Sequence, residues 1–119
     1  MRFAGGGNHD YAAGRMKAGK MNKTEVEYNA HLEHRIRAGE ILWFTFEGIT
    51  LKLADGCRYT VDFNVMAANG QLEMHEVKGF WRDDARVKIK VAAEKFPLKF
   101  IAITKEAKKR GGGWKFEEF

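Results

Sequence analysis

The stretch Tyr59-Thr-Val-Asp62-Phe-Asn-Val-Met-Ala-Ala-Asn69-Gly70-Gln-Leu-Glu-Met-His-Glu76-Val-Lys78-Gly79 decides how this chain is read. Two strand-like runs flank a turn ending in Asn69-Gly70, and Asn-Gly is the strongest short hairpin signal. The first run carries Asp62 among Val61, Phe63 and Val65; the second ends in Glu76-Val77-Lys78. Strand residues two apart share a face, so Glu76 and Lys78 emerge side by side. Two carboxylates and an ammonium on neighbouring strands suit a divalent-metal site. The carboxylates hold the ion, and the lysine lies near an incoming anion or an attacking water.

The register of this hairpin matters. A two-residue turn at Asn69-Gly70 pairs Asp62 with Val77 and sets Asp62 and Glu76 on opposite faces. A three-residue loop, Ala68 to Gly70 with Gly70 left-handed, pairs Asp62 with Glu76. The apolar pattern favours the first, because it gathers Val61, Phe63, Val65, Leu72 and Met74 on one face. The chemistry favours the second, or a bulge near the site. The second is the expectation.

Upstream, residues 22–38 read as a helix. Thr24 with Glu27 makes a capping box and Gly39 supplies the stop. At about 100° per residue, Glu25 falls inside the apolar stripe of Tyr28, Leu32 and Ile36, whereas Glu27 lies on the far side. A buried acid is costly unless something pairs with it, so Glu25 is a further candidate ligand, beside the simpler reading of a dipole-favoured glutamate at a helix start. His9, His31 and His34 lack zinc-type spacing and read as solvated. Ile41–Phe46 reads as a strand buried on both faces. Ile49, Leu51 and Leu53 alternate before an Asp55-Gly56 turn.

Downstream, Asp83 or Asp84 caps a second helix that runs to about Lys95 and is stopped by Pro97. Val87, Val91 and Ala92 form its expected inner face, flanked by Ala85 and Ile89, with Arg86, Lys88, Lys90 and Lys95 outward. Residues 99–104 form a last strand. The order helix, strands, helix, strand predicts an α/β fold of the α+β kind: a central mixed sheet with an N-terminal helix and a second helix packed on it. Residues 1–21, with Gly5-Gly6-Gly7, read as a flexible basic arm, 22–104 as the domain, and 105–119 as a basic, aromatic tail.

At 119 residues the chain fits one domain. It has no apolar run long enough to span a bilayer and no signal-peptide pattern, and the single Cys57 has no disulfide partner. A cytoplasmic protein without membrane contact is the expectation. Residues 25–77 hold four Lys/Arg against nine Asp/Glu, and residues 78–110 hold eleven against four, within a net charge of +5. An acidic middle between basic flanks suits a carboxylate metal site in a surface that attracts polyanions.

Taken together, Asn22-Lys23-Thr24-Glu25, Tyr59-x-x-Asp62-Phe63, Glu76-Val77-Lys78-Gly79 and the basic Ala85-Arg86-Val87-Lys88-Ile89-Lys90 resemble the PD-(D/E)XK nuclease superfamily. The similarity is closest to a small phage and prophage branch that resembles Holliday junction resolvases. It covers about residues 22–104 and departs at Thr60-Val61, where the superfamily's name calls for proline before the aspartate. The resemblance implies a restriction-endonuclease-like core in which Asp62, Glu76 and the Val77 carbonyl ligate Mg²⁺ or Mn²⁺. Glu25 would complete the shell directly or through water, and Lys78 would orient the attacking water and offset charge on the phosphate. Arg82, Arg86, Lys88 and Lys90 would hold the DNA backbone without sequence preference. The implied activity is metal-dependent DNA endonuclease cleavage of branched or junction DNA in phage replication or recombination. It would be carried out by a homodimer in the host cytoplasm. A nucleic-acid-binding protein on the same fold without catalysis is the alternative, and a structural domain ranks behind both.

Overall fold

The computed structural model describes residues 20–80 and 83–119. Most of the arm expected over residues 1–21, with His9, and the basic Arg82 lie outside the described residues. Helix α1 spans Lys23–Arg37, followed by β1 (Ile41–Phe46), β2 (Thr50–Ala54), β3 (Cys57–Thr60), β4 (Phe63–Ala67), β5 (Leu72–Lys78), α2 (Asp83–Lys95), β6 (Lys99–Lys105) and β7 (Trp114–Glu118). The main sheet has the order β1-β4-β5-β6-β7, and β2-β3 form a separate small sheet. Strands β5 and β6 run parallel through the α2 crossover, and the other pairs in the main sheet are antiparallel. This is the mixed sheet with two packed helices that the element order predicts.

Each face of the sheet carries its own core. On one side, Tyr28 and Leu32 of α1 pack on Phe44, Phe46, Phe63, Val65, Val77 and Ile103. On the other, Ile89 and Ala92 of α2 and Leu51, Leu53 and Tyr59 of the small hairpin cover Met74, Phe100 and Ala102. Strand β5 serves both cores, so its alternate residues are buried in opposite directions.

The hairpin takes the three-residue loop. Phe63 faces His75 and Val65 faces Glu73, while the Ala67 N–H bonds to the Gln71 carbonyl. Gly70 sits at φ 89°, which the loop needs and glycine supplies without steric cost. The apolar residues of the two strands are accordingly divided between the faces, a pattern stable only because both faces are covered.

Four expectations need correction. The helix cap is Asn22, not Thr24: the Asn22 side chain accepts from the Glu25 N–H at 2.8 Å, and the Glu25 carboxylate accepts from the Asn22 N–H at 3.0 Å. Among the described residues β1 is an edge strand, with a bulge between Ile41 and Trp43, and Leu42 and Trp43 are exposed where the sequence predicts a doubly buried strand. On α2, Ile89 and Ala92 are buried, whereas Val87 and Val91 are 57% and 41% exposed. The predicted inner face was rotated away from the sheet. Finally, residues 105–119, expected as a basic, aromatic tail outside the domain, carry β7, which pairs with β6, and the Phe119 N–H bonds to the Phe100 carbonyl.

Candidate active site

The run Tyr59–Val65 is not one strand. It breaks at Val61-Asp62, where the chain leaves the small sheet and enters the main one. Asp62 stands at this junction, and the β4/β5 register carried one step beyond Phe63–His75 sets it opposite Glu76. The two carboxylates are 8% and 7% exposed. Asp62 Oδ2 accepts from the Val77 N–H at 2.9 Å, in the place of a ladder partner. Glu76 Oε1 accepts from the Tyr59 hydroxyl at 3.0 Å and from the Asp62 N–H at 3.3 Å. Lys78 Nζ lies 3.5 Å from Glu76 Oε2, as expected of strand residues two apart.

Two acids held this closely in a buried site resist ionisation. Burial, then the charge of Glu76, pushes Asp62 up to about 8; the Glu25 charge adds to the rise. Burial likewise raises Glu76, against the pull of Lys78 and the hydrogen bonds it accepts. Tyr59 is raised by burial and by Glu76, so its hydroxyl stays a donor. A retained proton or a nearby positive charge relieves such a pair.

The pair opens into a cleft of about 340 Å³ lined by Arg58, Thr60, Asp62, Glu76, Lys78 and Lys88, with Tyr59, Asp84 and Ala85. No family model, curated protein or solved structure matches the chain. The site is therefore read on its own chemistry.

Of the expected set, Asp62, Glu76, Val77 and Lys78 come together. Glu25 is buried, as its helical phase requires, and is near enough to Asp62 for its charge to be felt there. One of its oxygens is engaged in capping α1, which supplies a second reason for its burial. Among the described residues, no group of three or more His, Cys, Asp or Glu side chains is gathered as a metal cage. Glu27 is turned away and pairs with Lys105. Of the basic residues, Lys88 lines the cleft and Lys90 does not. Arg86 is held by both Glu117 carboxylate oxygens, at 3.1 and 2.8 Å, and stacks over the Phe119 ring. These contacts tie α2 to β7.

Residues without an assigned role also shape the site. Tyr59 orients Glu76, and Arg58 and Thr60 line the cleft from β3. Strand alternation could have found Tyr59, since an inward tyrosine in a buried run needs a polar partner. On the other sheet face, the Tyr28 hydroxyl and the Glu73 carboxylate bracket the His75 ring at 2.7 and 2.9 Å. Burial lowers the His75 pKa, so the neutral ring accepts from Tyr28 at Nδ1 and donates from Nε2. This network anchors α1 beside the strand that carries Glu76. Among the described residues, no helix is long and apolar enough to cross a membrane.

Proposed function

We propose that the chain is a divalent-metal-dependent deoxyribonuclease of the PD-(D/E)XK kind, acting on branched or junction DNA in phage replication or recombination. The observation that carries the reading is the buried Asp62–Glu76 pair with Lys78 at the mouth of a cleft walled by Arg58 and Lys88. A domain that only binds nucleic acid gains nothing from burying two acids side by side beneath a cleft lined by Arg58 and Lys88. The helix, antiparallel strands and helical crossover also agree with the restriction-endonuclease-like core that the motifs imply.

The residues fit Mg²⁺ or Mn²⁺. Hard oxygen donors are in place, and Mg²⁺ is commonly bound by one or two carboxylates plus waters and substrate phosphate, so a full protein cage is not required. Asp62 and Glu76 would hold the ion. A strand residue's N–H and C=O face the same neighbour, so the Val77 carbonyl lies on the Asp62 side as a further donor. Glu25 would act through water. The bound ion supplies Lewis acidity toward water and phosphate. The protein's own part is positional: Val77 N–H fixes Asp62, and Tyr59 fixes Glu76. Lys78 places positive charge where the phosphate gains negative charge in the transition state, and it orients the attacking water. Lys88 holds the backbone by charge alone. A homodimer would provide the paired cuts that a symmetric junction needs.

Incubation with linear, flap and four-way DNA, with Mg²⁺ or EDTA, tests the reading. Metal-dependent cleavage by the wild type is expected, lost in Glu76→Gln with DNA binding retained or tightened. Undiminished turnover by that variant would reject the site.

A further inference from the structure

The β2–β3 hairpin packs its inner face, Leu51, Leu53 and Tyr59, against the α2 side of the sheet. Its outer face carries Thr50, Lys52, Arg58 and Thr60, with the small Ala54 beside them. Lys52 lies directly opposite Arg58, and Thr50 directly opposite Thr60. The two threonine hydroxyls bond at 2.8 Å, which locks that end of the hairpin. Like charges directly opposite each other destabilise a strand pair, yet the chain places two cations there. Asp55 offsets one of them, reaching Lys52 Nζ at 3.0 Å from the fully exposed hairpin tip.

The position of this face gives the juxtaposition its meaning. Arg58 and Thr60 line the same cleft as Asp62, Glu76, Lys78 and Lys88. Lys52, the strand partner of Arg58, lies outside the cleft lining and extends the positive charge beyond it. A backbone held at the carboxylate pair and by Lys88 also meets a cation and a hydroxyl from β3. Such groups satisfy phosphate oxygens whatever the base sequence.

We propose that the outer face of the β2–β3 hairpin, Lys52 and Arg58 with Thr60 beside them, is a second phosphate-contacting surface. It carries the backbone of the cleaved strand away from the carboxylate pair. The inference rests on the nuclease reading and adds the place and direction in which the strand leaves the site. The repelling Lys52–Arg58 pair is relieved when a phosphate sits between or beside the two cations, so nucleic acid and a rule-breaking hairpin stabilise each other.

The test is fluorescence anisotropy of a labelled DNA duplex and a labelled four-way junction, in EDTA to prevent cleavage, across a salt series. The proteins are the wild type, Lys52→Ala with Arg58→Ala, and Lys52→Arg with Arg58→Lys. The alanine pair should bind roughly tenfold more weakly, with a log–log salt slope shallower by about 1.8, two phosphate contacts being lost. The charge-keeping pair should retain the wild-type slope. Wild-type binding with an alanine pair equal to it in affinity and slope removes the hairpin from the interface while leaving the nuclease reading intact. A wild type that binds neither DNA overturns the nucleic-acid reading and the hairpin's role with it.

Discussion

Replacing Asp62 with asparagine should make the metal-free protein more stable, although it removes a proposed ligand. The carboxyl ionises near 3.9 in an unfolded chain, whereas in the fold it is pushed up to about 8 by burial and Glu76. Between those values the folded state holds a proton that the unfolded state has released, so stability falls as pH rises through that window. At 1.36 kcal/mol per unit, the loss accumulated by pH 7 approaches about 4 kcal/mol. Glu76 shares the site, so removing one acid should recover only part of this, about 1–3 kcal/mol. The amide oxygen can still accept from the Val77 N–H, so the local geometry survives. For a chain of this size the gain corresponds to a Tm rise on the order of 5–10 °C. Thermal unfolding in EDTA at pH 4.0 and 7.5 measures it: the variant should exceed the wild type at the higher pH and converge with it at the lower. Added Mg²⁺ should then stabilise the wild type and not the variant. A variant no more stable than wild type at pH 7.5, with a flat wild-type pH profile, would refute the reasoning that the two carboxylates are in electrostatic conflict.

The two glutamates of α1 should separate cleanly. Glu25→Gln should lower cleavage severely while keeping the fold, because glutamine preserves the bond to the Asn22 N–H; Glu27→Gln should leave cleavage unchanged and lose only an exposed pair with Lys105. Equal activity of the two variants in a Mg²⁺-dependent nicking assay would take Glu25 out of the site. Gly48→Ala should cost about 1–3 kcal/mol in urea unfolding, since a β-carbon there would lie 2.6 Å from Thr45 Oγ1 and 3.1 Å from Asn64 Oδ1 inside a packed corner. An unchanged midpoint would show that the corner relaxes freely.

The burial of Glu25, the side-by-side Glu76 and Lys78, and the crossover through α2 were all legible in period and spacing. The Asn22 cap was not, because Thr24 and Glu27 offer an equally good local pattern two residues later. What separates the two is tertiary, since Glu27 is claimed by Lys105 on β6. The inner face of α2 was recoverable. Ala85, Ile89, Ala92, Ala93 and Phe96 fall within about 100° of helical arc, but the bulkier Val87 and Val91 drew the choice to the opposite side. The break at Val61-Asp62 left no local mark, because a valine before an aspartate looks the same in one strand or between two sheets. The pairing of Arg86 with Glu117 has no local mark either, because the two lie 31 residues apart and meet only when β7 joins the sheet.

The bulge in β1 bears on how the sheet edge meets other chains. A sheet edge offers amides and carbonyls on which another chain can grow, and among the described residues β1 lies at one end of the main sheet, with Leu42 and Trp43 exposed. The extra residue between Ile41 and Trp43 throws that row out of step and increases the local twist. An incoming strand would find its hydrogen bonds in register for only part of its length. The irregularity that spoils the tidiest reading of Ile41–Phe46 is thus a guard against fibrous self-association, placed where apolar side chains make the edge most adhesive.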